Sequence, residues 1–248
     1  MVISLREIAE RCFGLHGNFS VLRDLFGYSG NRTPGSTLLT QELIQFRDWE
    51  RIIFHIKLIS TQTWTFTSTV PVDDMIFSMR QVYNNASIAV IVRSTENLAL
   101  NDTDIDVGQC VTGQVTADQT TLFNNRNSVG QNEIVVYIVR AVLGAGGGMF
   151  AGCATFPAGR PGAVVASTGT RWTLSHEVGH ILVGPHIETA SGQTCPTDLM
   201  PPQLGMCQLT NVMTCCGTFM IAANTVPVFN TDQIQRIIDS DLTRRCGA

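Results

Sequence analysis

Three of the five histidines in this 248-residue chain fall between positions 176 and 186, in the run His176-Glu177-Val178-Gly179-His180-Ile181-Leu182-Val183-Gly184-Pro185-His186. On a helix, residues i and i+4 lie one turn apart on the same face, so His176 and His180 can share one metal ion. Glu177 sits beside them, within reach of the proton of a metal-bound water. His186 offers a third nitrogen. Three protein ligands leave the fourth position of a tetrahedral zinc open to water, which a catalytic site requires and a structural one does not. The remaining histidines, His16 and His55, are scattered.

The run resembles the metzincin zinc-endopeptidase signature, His-Glu-x-x-His-x-x-Gly-x-x-His. His176, Glu177, His180 and His186 match position for position, whereas the signature glycine is replaced by Val183, with Gly184 one place later. That glycine ends the helix and swings the third histidine back to the metal, a turn for which a β-branched residue is poorly suited. Gly184-Pro185 can still break the helix, because proline disfavours helical geometry in the residue before it. Metzincins also carry a methionine turn beneath the ligands. Met200 and Met213 both qualify, and Asn211-Val212-Met213 resembles the family form more closely. The three tyrosines, Tyr28, Tyr83 and Tyr137, all precede the motif, so the chain is similar to members without a tyrosine ligand. Other zinc-peptidase clans use a distant glutamate. Glu188 is too near for that role, and Asp198 remains as a carboxylate alternative to His186.

The resemblance implies one catalytic Zn2+ held by His176, His180 and His186, with Glu177 as general base in peptide-bond hydrolysis. It implies a protein or peptide substrate lying extended along an edge strand near residues 148–155, with a specificity pocket walled by residues 210–220. Two alternatives stay open: a metal-dependent hydrolase of non-peptide substrates, and a catalytically inactive metzincin-like binding module, zinc-bound or metal-free, which the Val183 departure keeps open.

Apolar residues make up 44% of the chain and charged residues 15%, enough apolar material for a sizeable core. A net charge of −4 without lysine or arginine runs argues against nucleic acid or an anionic membrane as partner. No stretch approaches the length of a transmembrane helix, and a monomer is expected. Residues 1–11 alternate apolar and charged residues and read as an amphipathic helix, not as a secretory signal. Eight cysteines, five of them after residue 190 and none in Cys-x-x-Cys spacing, favour disulfides and a secreted protein, with buried cytoplasmic thiols as the alternative. The pairing is open. A thiolate switch through Cys12 or Cys110 is disfavoured, since neither lies in a matching motif.

Elements that could position the histidines follow in order. Strands are expected at 51–59, 87–93, 133–142 and 162–167, with a shorter one at 149–156 after a glycine turn at 144–148. Helices are expected at 72–84 and 171–183, with a closing helix at 232–242 capped by Thr231. Residues 94–132 read as loop or short helix. Within them, Asp102-Thr103-Asp104-Ile105-Asp106 superficially resembles a calcium loop but lacks its glycine and terminal glutamate, so Ca2+ is possible without support. The glycine run lacks a phosphate-loop ending. The expected fold is α+β: a twisted mixed β-sheet packed with helices, the active-site helix at the cleft, and an irregular C-terminal subdomain ending in a helix. Residues 1–47 read as a helical extension and 48–248 as the catalytic domain, the order of elements being that of metzincin domains.

Overall fold

The computed structural model describes residues 49–187, 210–214, 221–222 and 224–246. The extension expected at 1–47, Cys12, Cys195, Cys207, Cys215, Cys216, Glu188, Asp198 and Met200 lie outside the described residues.

The apolar run at 51–59 forms β1 (Glu50–Ser60), and its alternating side chains are buried on both sides. A strand buried on both faces belongs in the middle of a covered sheet. The sheet runs β2 (Ile88–Ala99), β1, β4 (Ile134–Val139), β8 (Gly162–Ala166), β7 (Gly152–Cys153). The first four are parallel, and β7 joins β8 antiparallel at the edge. On one face, Ile52, Phe54, Ile56, Ile134, Val136 and Ile138 pack against two helices, α1 (Val72–Asn84) and α3 (Thr173–Leu182). On the other, Val135, Tyr137, Val139 and Val164 pack against α2 (Ala117–Phe123) and β3 (Asp104–Gly108). This is the expected α+β class, with α1 over the residues anticipated.

Several expected elements need correction. The strand at 87–93 continues to Ala99, because beyond Val92 one side stays half-buried while the other faces water, a pattern that a polar sequence can satisfy at a sheet edge. The 94–132 stretch therefore holds strand residues and β3 as well as the short helix α2. The run 133–142 is two strands. It divides at Arg140, which donates to the Asp104 carboxylate through Nε at 2.7 Å. β5 (Ala141–Gly144) then leaves the main sheet for a second one, ordered β3-β5-β6, with β6 at Met149–Phe150. The strand expected at 149–156 is likewise divided between β6 and β7.

The closing helix α4 spans Thr231–Ile238, and its cap is Asn230, not Thr231: Asn230 Oδ1 accepts from the Gln233 amide at 2.9 Å. It stops short of 242, where the Thr243 hydroxyl donates to the Ser240 carbonyl at 2.8 Å, with the Ile237 and Ile238 carbonyls 3.1 Å away as alternative acceptors. The chain then forms β9 (Thr243–Arg245), antiparallel to the start of β1. Asp102, Asp104 and Asp106 are each engaged separately. Asp104 meets Arg140, Asp102 accepts from its own following amides, and Asp106 accepts from Gly108. One disulfide lies among the described residues, Cys110–Cys153, so Cys110 is a crosslink and not a switch thiol.

Candidate metal centre

β8 hands the chain to α3 through a turn anchored by Trp172, 1% exposed and one of the largest fully buried side chains. The helix brings His176 and His180 onto one face, as their spacing requires, and His186 returns to meet them. The three Nε2 atoms stand 3.1, 3.2 and 3.3 Å apart. Tetrahedral ligands at zinc–nitrogen distances of 2.0–2.1 Å would be about 3.3 Å apart, so the nitrogens fit a single ion.

The second ring nitrogens are tied to the backbone. His176 Nδ1 lies 2.6 Å from the Val212 carbonyl and His180 Nδ1 lies 2.7 Å from the Gly184 carbonyl. A carbonyl only accepts, so each Nδ1 carries the proton and each Nε2 lone pair is left for a metal. Burial, reinforced by the neighbouring rings of His180 and His186, holds His176 well below the ordinary histidine pKa, and burial lowers His180 in spite of its bond to Gly184. Both rings are therefore in the neutral form that metals bind.

The displaced glycine has a structural answer. Val183 keeps helical geometry, with φ −106° and ψ −32°, and its side chain is buried in the helix-side core. The left-handed turn falls at Gly184, φ +94°, where glycine carries no steric penalty. The helix is thus one residue longer than the signature implies, and His186 still reaches the other two rings. Arg236 of α4 donates to the Val183 carbonyl at 3.2 Å, fastening the helix end.

Glu177 is buried, and burial pushes its carboxyl up to about 8. It lies against the edge strand: a Cβ at Gly152 would stand 2.6 Å from Glu177 Oε1. A carboxyl whose proton affinity is raised by burial, beside three metal-directed nitrogens, suits proton transfer. Met213, 0% exposed, packs beneath α3, and its amide is held by Asn211 Oδ1 at 2.8 Å. Asn211 also donates to Gln233 Oε1 at 2.8 Å, linking this turn to the cap of α4.

A cleft of about 930 Å³ opens over the three histidines and Glu177, bounded by Met149–Gly152, Ala154 and Thr155 on one side and Gln109–Thr112 on the other. The edge expected at 148–155 thus does line the site. Of the wall expected at 210–220, residues 215–220 lie outside the described residues. The roles of the Val212 and Gly184 carbonyls, Gly152 and the 109–112 loop have no motif in the sequence, and all but that of Gly184 depend on contacts distant in the chain. Gly184 beside Pro185 was the one local signal for any of them.

Comparison of the sequence with protein-family models and with curated proteins finds no match. Among solved structures the chain is similar to metalloproteinase-II from Bacteroides fragilis, with 12% sequence identity and a TM-score of 0.46. The likeness covers 76% of this chain and 52% of that one, so the chain spans about half the length of its structural neighbour.

Proposed function

We propose that the protein is a zinc-dependent endopeptidase of the metzincin type, with residues 48–248 as its catalytic domain. The observation that carries this reading is the convergence of three Nε2 atoms at ligand spacing beside a buried carboxyl, in a cleft bordered by an edge strand. His176, His180 and His186 hold the ion, and Met213 forms the turn beneath it. Zinc bound there supplies an acidified water and polarises the scissile carbonyl.

The protein's own residues do the rest. Backbone groups of 149–155 pair with an extended peptide, binding it without requiring a particular sequence. The missing side chain at Gly152 lets Glu177 reach the edge strand. Glu177 takes a proton from the attacking water and returns it to the leaving amine, a double role suited to a carboxyl whose affinity for protons is raised by burial. The Cys110–Cys153 disulfide supports a secreted protein.

The test is Glu177→Gln. The variant should bind zinc as the parent does while cleaving casein about 10²- to 10⁴-fold more slowly, the usual contribution of a positioned general base. Undiminished cleavage with zinc retained would refute the role of Glu177. Cleavage of a small ester but not of casein by the parent would support a non-peptide hydrolase instead.

A further inference from the structure

Past Cys153 the edge strand parts from β8: the paired residues are Gly152 with Val165 and Cys153 with Val164, and no pairing follows. Residues 154 and 155 nevertheless form part of the cleft wall. What holds them is a side chain. Gln119 Nε2 donates to the Thr155 carbonyl at 2.9 Å and lies 3.7 Å from Cys153 Sγ. Gln119 is 0% exposed and occupies the third position of α2. Its Oε1 accepts from the Thr116 backbone amide at 3.1 Å, while the Gln119 backbone amide donates to Thr116 Oγ1 at 3.2 Å. That capping box needs only an acceptor from the side chain, and glutamate would serve it equally. The donor half of the Gln119 amide is surplus to the helix, and it is spent on the strand. The disulfide fastens the same ledge from the 109–112 loop, and Cys110 Sγ stands 3.6 Å from Thr155 Oγ1.

The geometry points to Gln119 as a positioning residue for substrate: through its bond to Thr155 it keeps residues 153–155 extended after sheet pairing has ended. A peptide lying along the edge then meets backbone groups already in register, from Gly152 beside Glu177 outward to Thr155. Binding by pre-set backbone groups avoids an ordering cost when substrate arrives. Gln119 touches neither substrate nor the histidines and acts only through the strand. The kinetic consequence rests on the peptidase reading, whereas the mechanical one does not.

The experiment compares Gln119→Glu, Gln119→Met and Thr116→Ala in the zinc-loaded protein. Gln119→Glu keeps the capping acceptor and removes the donor. Gln119→Met removes both without adding a charge, and serves if the buried carboxylate prevents folding. Thr116→Ala weakens the helix cap but leaves the bond to Thr155. Two readouts are taken: amide hydrogen exchange of a fragment covering residues 152–156, and kcat and KM on a decapeptide. Both Gln119 variants should exchange faster at 152–156 and raise KM about tenfold, the equivalent of one buried hydrogen bond, with kcat changed less than about threefold. Thr116→Ala should alter stability but neither readout. Unchanged exchange in the Gln119 variants, or the same pattern in Thr116→Ala, would overturn the inference. If the parent cleaves no peptide, the peptidase reading fails, and exchange still decides the role of Gln119: faster exchange upholds it and unchanged exchange removes it.

Discussion

Met213 lies so close beneath Gly179 that a Cβ added to the glycine would stand 2.2 Å from the methionine sulfur. The turn carrying that sulfur grips the histidine site at two points. The Val212 carbonyl accepts from His176, and the Met213 carbonyl accepts from the Ile187 amide at 2.9 Å, one residue past His186. The turn therefore positions both ends of the histidine triad, and the glycine between His176 and His180 is what admits it.

Gly179→Ala should consequently destabilise the protein. In an open helix the change would gain up to about 1 kcal/mol, but crowding a packed interior typically costs about 1–3 kcal/mol. We expect a net loss, read from urea unfolding of the metal-free protein. Combining it with Met213→Ala should cost less than the sum of the single changes, because the smaller side chain makes room for the methyl group. Additive losses would mean that the two residues do not compete for one space.

Gly184→Ala should act through the backbone alone, since nothing lies within 4 Å of the position a Cβ would take. Holding a non-glycine residue at φ +94° costs roughly 1–2 kcal/mol. The Gly184 carbonyl fixes the His180 ring, and the same turn returns His186, so zinc affinity should fall with stability. Val183→Gly, which supplies the glycine of the metzincin signature that the run resembles, should not tighten zinc binding, because Val183 is helical and its side chain is buried in the core. Zinc titration against a competing chelator reads both. Tighter binding by Val183→Gly would contradict the one-residue displacement of the turn.

Acid should destabilise the face of the sheet opposite the histidine site. Burial pushes the Glu133 carboxyl up, but the Gly130 amide at 2.8 Å, His55 at 2.9 Å and Arg93 together outweigh burial and hold it below its ordinary value of 4.5. Asp104 is lowered chiefly by its hydrogen bonds from Arg140. A carboxylate with a depressed folded pKa contributes stability that is complete above its unfolded pKa and is lost as pH falls through the folded one. Unfolding free energy should therefore decline as pH drops below about 4.5. In Glu133→Gln the decline should be shallower, measured by urea unfolding between about pH 3 and 6. An unchanged slope would remove Glu133 from this account.

The parts of the fold set by local spacing were legible in the sequence. Asp73 and Asp74 opening an apolar-striped segment marked α1 over Val72–Asn84, and His176 and His180 marked a helix face. What escaped was set by partners distant in the chain. Arg140 divides a continuous apolar run because Asp104, 36 residues earlier, holds it at the junction of two sheets. Ser94 to Ala99 look like loop but form strand because β1 lies beside them. A local cue was missed as well: the cap is Asn230 and not Thr231, because Gln233, three residues after Asn230, completes its capping box. Cys110 could not be matched to Cys153, nor Val212 to His176, from spacing. Val183 misled for a local reason: it stands where the signature has glycine, yet the helix simply runs one residue further before turning.

Casein hydrolysis by metal-analysed protein, followed before chelation, after it and after zinc is returned, decides whether the three histidines hold a working zinc centre. The protein should carry about one zinc per chain, lose casein cleavage when the zinc is removed and recover it when zinc is restored. One zinc per chain with no cleavage of casein, or cleavage indifferent to the chelator once zinc is gone, would contradict the zinc-peptidase reading.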